Sequence, residues 1–222
     1  DSLQKKGLLN VRINAMISNT KENMDYFLEA GPIKTNKLNV RSFKVYADGA
    51  LGSRGAALKN AYSDLKTHHG KFITSKDSLQ KLAYILAATP FQMNTHAIGD
   101  DANKAVLEAY KKALVFSDDP RWRVEHSQVI DTADIKLFNR KTIPSVQPTH
   151  ATSDMYWAED RLGSDRLLGS YAYKALLNQS GRIALGTDFP VEEVSPIMTF
   201  YAAVARKDSE QFPEGGYLSE NK

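Results

Sequence analysis

Four segments of this sequence share one pattern, in which a short apolar run ends at a histidine or an aspartate. Alternation of apolar and polar residues over a few positions is typical of a β-strand. When strands are parallel and separated by helices, their carboxyl ends meet at one edge of the sheet, so side chains placed there converge on one site. The four segments are Gln92–His96, Trp122–His126, Ile143–His150 and Ile183–Asp188.

Two further strand units precede these four segments. Leu8–Ile17 alternates apolar and polar residues and predicts a strand, which a helix over Thr20–Glu29 follows. Ser42–Ala47 predicts the next strand, and the glycine-rich segment Asp48–Ala56 comes directly after it. The spacing of these glycines matches neither a dinucleotide-binding turn nor a phosphate-binding P-loop. Six strand-helix units in succession predict an α/β fold with a parallel sheet.

Helical spacing of apolar residues predicts the elements between the later strands. Gln147–Ser170 is long for a connection between a strand and a helix, where about 2–6 residues are usual, so we expect a loop that shapes a substrate pocket. The predicted helices are Ser75–Thr89, Asp100–Phe116, Thr132–Arg140, Tyr171–Gln179 and Pro196–Ala205.

Composition excludes several classes of protein. The net charge is only +3 and the basic residues are scattered, so we expect no nucleic-acid partner. The chain has no cysteine, which excludes disulfides, thiolate metal sites and a cysteine nucleophile. No apolar run approaches the roughly 20 residues of a membrane span. The compartment stays open between the cytoplasm and a bacterial cell envelope.

The repeated positions of the histidines indicate a metal site. One histidine at a strand end is more often a structural residue, but His96, His126, His150 and Asp188 occupy equivalent places in successive units. Neutral imidazole nitrogens and carboxylate oxygens are ligands that suit Zn²⁺ and related ions. Glu125 would point to the opposite side of its strand from His126, which favours a supporting role for it.

At these residues the chain resembles the amidohydrolase superfamily, and within it the YtcJ-like branch of amidohydrolase family 3. That branch includes N-substituted formamide deformylases and AepA-like proteins. The resemblance implies a (β/α)₈ barrel of the TIM type. The matching blocks, which follow one another in the family's order, are Lys44–Ala56, Thr95–Asp100, Val124–Gln128, Ser145–Met155 and Leu185–Val191.

The resemblance also implies a metal-ligand set. Lys44 matches a lysine that is often carboxylated to bridge two metals, and His96 and His126 match the histidine ligands of the fifth and sixth barrel strands. Asp188 matches the catalytic aspartate that holds the metal-bound water and shuttles its proton. One or two divalent ions are therefore expected, with Zn²⁺ as the expected metal.

Three more residues are expected to contact the substrate by the same resemblance, namely Arg54, His150 and Asp48. The function implied is hydrolysis of an amide-type, non-peptide C–N bond in a small molecule by a metal-activated water. Two alternatives fit the same residues. One is a non-catalytic binding or regulatory barrel module, and the other is a metal-dependent lyase or aldolase barrel.

The sequence departs from the family pattern at its beginning. Family members start with a β-sandwich portion and a His-x-His pair on the first barrel strand, and this sequence has no His-x-His. We therefore expect residues 1–222 to form a partial barrel with the third to eighth units, without the first two units or the sandwich. The segment alone should have weak or no activity. The remainder of the barrel, or a second copy of the chain, would cover its open edges.

Overall fold

Seven strands form one sheet within residues 2–221, the part of the chain that the computed structural model describes. They are β1 Ile13–Ser18, β2 Ile33–Lys34, β3 Leu38–Tyr46, β4 Gln92–Ala97, β5 Trp122–His126, β6 Thr142–Val146 and β7 Ala184–Leu185. Six of them are parallel in the order β1-β3-β4-β5-β6-β7, and β2 pairs antiparallel with β3. The predicted α/β class is confirmed.

Helices connect these strands. They are α1 Ser2–Lys5, α2 Lys21–Ala30, α3 Lys76–Ala87, α4 Asp100–Ala113, α5 Pro148–Asp154, α6 Ala158–Leu162, α7 Ser164–Leu167, α8 Tyr173–Ser180 and α9 Pro196–Ala205. Two short 3₁₀ helices lie at Thr132–Leu137 and Ser219–Asn221. None of the helices in residues 2–221 has the length and apolar character needed to cross a bilayer.

The sheet is an open arc that agrees with the predicted partial TIM barrel. Within the described residues, the outer strands β1 and β7 each have a neighbour on one side only. Ile13 and Met16 on β1 and Leu185 on β7 are exposed. These apolar side chains and unpaired strand edges leave both ends of the arc without cover.

Several predicted elements have other bounds in the structure, and three of them differ most. Gln147–Ser170 was expected to be one loop, but it folds into α5, α6 and α7. Pro148 stands at the start of α5, where its fixed φ suits a helix, and Gly163 separates α6 from α7 with a φ of 73°. The helix expected over Thr132–Arg140 is a 3₁₀ helix that ends at Leu137, and the strand expected over Ile183–Gly186 contains only Ala184 and Leu185.

The core lies between the sheet and its helices. On α3, Leu79, Ala83 and Leu86 are completely buried, at the spacing that places them on one helix face. Strand residues such as Phe43 and Met93 belong to the same apolar cluster. Burial of each large apolar side chain contributes about 1.5–3 kcal/mol, so this layer holds the strand ends in register.

A buried carboxylate joins the loop after β3 to the turn after β4. Both side-chain oxygens of Asp48 accept hydrogen bonds from backbone amides, those of Ala57 (2.9 Å), Ile98 (3.0 Å) and Gly99 (2.8 Å). Burial raises the pKa of Asp48 to about 7, against the effect of the three amides. Asp48 therefore fixes the backbone at the carboxyl end of the sheet.

From the packing at this junction we expect Gly99→Ala to destabilise the fold strongly. A Cβ atom at Gly99 would overlap the carbonyl oxygen of Ala57, which is backbone and has no rotamer to change. We expect the free energy of unfolding to fall by about 2 kcal/mol or more, measured by urea denaturation. Gly215→Ala is the matched control, because no atom lies within 4 Å of its Cβ position. Equal unfolding midpoints for the two variants would contradict this account.

Candidate active site

A cleft of about 440 Å³ lies at the carboxyl ends of the parallel strands. Strands β3, β4 and β5 and the segments after β6 and β7 contribute its ionisable side chains. Apart from the phenol of Tyr46, these side chains are Lys44, His96, His126, His150, Asp154, Asp188 and Glu192. All four residues expected to bind metal, and one of the three expected to contact substrate, thus line one cavity.

The three histidines of the cleft lie side by side. The ring centroids of His96 and His126 are 4.5 Å apart, and those of His126 and His150 are 5.9 Å apart with nearly parallel rings. Each ring comes from a different strand-helix unit, as the sequence pattern predicted. The structure therefore brings together groups that are distant in the chain.

The backbone of His126 explains how its ring reaches His96. The parallel register of β4 and β5 pairs His96 with Glu125, so regular alternation would turn His126 to the other side of the sheet. His126 instead has a φ of 74°, in the left-handed region, and Ser127 follows with a φ of 44°. Such conformations are uncommon for residues other than glycine and cluster at functional sites.

Glu125 keeps the orientation that the register dictates. It is buried and accepts a hydrogen bond from Arg123 Nε at 2.6 Å, two residues earlier on the same face of β5. Its charge also opposes the lowering of the Lys44 pKa. Glu125 is thus a supporting carboxylate beside the cleft.

Two imidazole nitrogens of the cleft histidines have no hydrogen-bond partner among the described residues. His126 Nδ1 and Gln147 Oε1 are 2.7 Å apart, and since an amide oxygen only accepts, the His126 proton lies on Nδ1. The two nitrogens without a partner are Nε2 of His96, which lies 3.6 Å from Asp48 Oδ1, and Nε2 of His150, which lies 3.8 Å from Asp188 Oδ2. Nitrogens of this kind are available as ligands for a cation.

Burial keeps the imidazoles neutral. It lowers the pKa of His96 to about 4, with a further contribution from the charge of Lys44. It also lowers the pKa of His126 well below its usual value, and neighbouring His96 and Lys44 add to the effect. Burial likewise lowers the pKa of Lys44. Neutral imidazole is the form that binds a metal ion.

Asp188 reaches the cleft from the loop after β7. Its φ is 58°, and its Oδ2 lies 3.8 Å from Nε2 of His150. The Asp188 side chain is 38% exposed, more than His150 at 12%, so it stands at the open side of the cleft. This position suits a carboxylate that exchanges protons with substrate or water.

The donors fit a metal ion only in part. Unpaired, neutral imidazole nitrogens close to a carboxylate suit a divalent cation, and Zn²⁺ sites commonly use four ligands. Within residues 2–221, however, no three histidine or acidic side chains are close enough together to hold an ion by themselves. The described residues on their own therefore do not form a complete ligand set.

Two of the expected substrate contacts do not lie on the wall of the cleft. Asp48 is completely buried and occupied by backbone amides. Arg54 forms a two-pronged ion pair with Asp64, at 3.0 Å from Nε and 2.8 Å from Nη2. Both residues stabilise the loop whose segment from Ala50 to Ser53 lines the cleft.

Several cleft residues were not singled out from the sequence. Gln147 follows β6 directly, so its place in the repeat is equivalent to the strand ends at His96 and His126. Asp154 stands four residues after His150 on α5, a spacing that puts both on one helix face. The repeated strand-helix units could have predicted the position of Gln147, and the helical spacing from His150 could have predicted that of Asp154. Glu192 lies in a loop, where no periodic pattern in the sequence could have predicted its place in the cleft.

Comparison with known proteins now places the chain in a family. Residues 2–220 match the amidohydrolase family, so the chain belongs to it. The structure superposes with a TM-score of 0.85 on an uncharacterized metal-dependent hydrolase from Pyrococcus horikoshii, at 26% identity, covering 99% of this chain and 43% of the other. An uncharacterized metal-dependent hydrolase from Pyrococcus furiosus gives a TM-score of 0.83 at 28% identity. This match covers 95% of this chain and 44% of the other.

Curated relatives are similar in sequence. The putative amidohydrolase YtcJ of Bacillus subtilis is 35% identical over 171 residues, which are 77% of this chain and 32% of that protein. The protein LONG AFTER FAR-RED 3 of Arabidopsis thaliana is 30% identical over 187 residues, 82% of this chain and 32% of that protein. An N-substituted formamide deformylase of Arthrobacter pascens is 26% identical over 172 residues. The chain spans about a third of the length of these relatives.

The Gln147 contact predicts the protonation of His126. In the native chain, nitrogen NMR shifts should show the proton of His126 on Nδ1, because Gln147 accepts it. In Gln147→Leu the acceptor is lost, and we expect a mixture of both neutral tautomers. Gln179→Leu, which removes a hydrogen bond to the Phe138 carbonyl away from the cleft, should leave the His126 shifts unchanged. A proton on Nε2 in the native chain would refute the assignment.

The pKa of His96 predicts how stability depends on pH. Its folded-state pKa is about 4 and its ordinary value is 6.5, so between these pH values the unfolded chain binds the proton more tightly. His96 by itself should therefore raise the free energy of unfolding with pH across this window, by roughly 1–3 kcal/mol, while the raised pKa values of Asp48 and Asp154 act in the opposite direction. The measurement is urea unfolding at a series of pH values. Relative to His96→Asn, the native chain should gain stability as the pH rises from about 4 to 6.5, and an identical pH dependence in both proteins would contradict the prediction.

Proposed function

We propose that this chain forms part of a metal-dependent hydrolase that cleaves an amide-type C–N bond of a small molecule. The observation that carries the proposal is the gathering of three histidines, Lys44 and Asp188 in one cleft at the strand ends. Membership of the amidohydrolase family and the two hydrolase structures support it. A volume of about 440 Å³ is suited to a small substrate.

In this proposal Lys44, His96, His126 and Asp188 hold one or two divalent ions, and Zn²⁺ is the proposed metal because imidazole and carboxylate ligands suit it. The ion, when bound, would lower the pKa of a water and polarise the scissile bond. The Asp188 carboxylate accepts the proton of the attacking water and passes it to the leaving nitrogen. His150, 3.8 Å from Asp188, contacts the substrate beside that carboxylate.

The incomplete ligand set and the open sheet favour a barrel that is completed by further polypeptide. We propose that the chain supplies the third to eighth units of a barrel, and that the missing donors come from outside the described residues. Exposed apolar residues on α9, among them Ile197 and Phe200, add to the uncovered apolar surface. The remainder of the barrel, or a second copy of the chain, would bury these surfaces. Residues 1–222 alone should show little hydrolysis.

Replacement of Asp188 tests the proposed mechanism. In the complete enzyme, Asp188→Asn should lower kcat by about 10²–10⁴, the usual contribution of a general acid-base group. The assay would follow amine release from a panel of N-acyl and N-formyl amines. Asp160→Asn, which removes an exposed carboxylate of α6 outside the cleft, is the matched control. Full activity of Asp188→Asn would refute its role.

Labelled water separates hydrolysis from a lyase or aldolase reaction. Hydrolysis places one oxygen atom of the solvent in the acid product, because water supplies the attacking group. Mass spectrometry of the product from isotopically labelled water should therefore show incorporation. Product formed without solvent oxygen would exclude the hydrolase proposal even if turnover depends on metal.

A further inference from the structure

Asp154 is a carboxylate of the cleft that the proposed metal and proton roles do not use. It stands at the end of α5, one turn after His150, and lines the cleft together with Gln128, Trp157 and Glu192. The backbone amide of Trp157 donates to the Asp154 carbonyl at 3.0 Å, which keeps the two residues adjacent.

Only one oxygen of Asp154 is engaged by the protein. Oδ2 accepts hydrogen bonds from Gln128 Nε2 at 2.9 Å and from Tyr171 Oη at 2.8 Å. Among the described residues, nothing donates to Oδ1. Two donors on Oδ2 orient the carboxylate and stabilise its anionic form, so Oδ1 is left to accept a hydrogen bond in the cleft.

The negative charges of Asp154 and Glu192 have no cationic partner among the described residues. No basic side chain forms an ion pair with Asp154 within residues 2–221, and the only such contact of Glu192 is with His150 Nε2 at 3.8 Å. His150 does not balance that charge, because burial lowers its pKa. Burial raises the pKa of Asp154 to about 7, and Glu192 adds to the increase. By contrast, Asp64 outside the cleft is paired with both Arg54 and Arg161.

We propose that Asp154 determines specificity by binding a protonated amine of the substrate through Oδ1, with Glu192 as the second negative charge. The inference rests on the proposed function in one respect, since it takes the cleft as the substrate site. A charge-assisted hydrogen bond to an ammonium group supplies the missing cation. The substrate class is then an amide that carries a separate basic amino group.

A binding experiment tests this without catalysis. The probes are n-butylammonium and 1-butanol, which have the same chain and differ in charge. Binding to the chelator-treated chain would be measured by calorimetry at a pH above the pKa of Asp154 and below the pKa of the amine. We expect the ammonium to bind at least about 10-fold more tightly than the alcohol, and Asp154→Asn to remove that preference.

Two other variants complete the design. Asp160→Asn removes the same charge from an exposed site outside the cleft and should bind the ammonium as the native chain does. Glu192→Gln should weaken ammonium binding without affecting 1-butanol. If Asp154→Asn loses its folded circular dichroism spectrum, Glu192→Gln decides the question.

Equal affinity for the two probes, or no measurable binding of the ammonium, would overturn the inference. Native affinity in a folded Asp154→Asn variant would do the same. Because chelated protein is used, these outcomes do not depend on hydrolysis. Failure of the hydrolase proposal would appear instead in the Asp188→Asn and labelled-water experiments.

Discussion

Parallel pairing of neighbouring strands is the constraint on which the candidate site depends. Strands β3 to β7 run in one direction with a continuous register, so their last residues lie along one edge. Each strand end then adds one polar group to a common cavity, while the buried core behind it keeps the edge rigid. The Asp48 carboxylate strengthens this edge, because it ties together two of the loops that leave it.

Desolvation shapes the chemistry of the cleft. It makes the charged form of each imidazole costly, which keeps His96 and His126 neutral and their ring nitrogens available. The same effect makes an isolated carboxylate costly, as the raised pKa of Asp154 shows. The cavity has neutral nitrogen donors and three carboxylates, those of Asp154, Asp188 and Glu192, against one lysine, Lys44. This excess of acidic groups suits positively charged groups, which the metal and the substrate amine would provide in our proposals.

Three features of the described residues have a common explanation in the proposed partial barrel. The donor set is incomplete, the outer strands lack partners on one side, and apolar residues of α9 are exposed. Each would be expected if further polypeptide closed the barrel, since closure adds strand partners, buries apolar surface and brings more ligands to the rim. The relatives, of which this chain spans about a third, are long enough to contain such polypeptide.

Periodicity in the sequence determined the six parallel strands, the helices that connect them, and the placing of His96 and His126 at strand ends, whereas His150 lies on α5 after β6 and Asp188 lies in the loop after β7. These features follow from local alternation and helical spacing, which neighbouring residues set by themselves. Tertiary structure alone decided that His126 turns towards His96 through a left-handed backbone, that Asp48 and Arg54 stabilise a loop, and that Oδ2 of Asp154 accepts hydrogen bonds from Gln128 and Tyr171. Those outcomes depend on partners distant in the chain, such as Ile98 for Asp48 and Tyr171 for Asp154, and the spacing of neighbouring residues contains no information about such contacts.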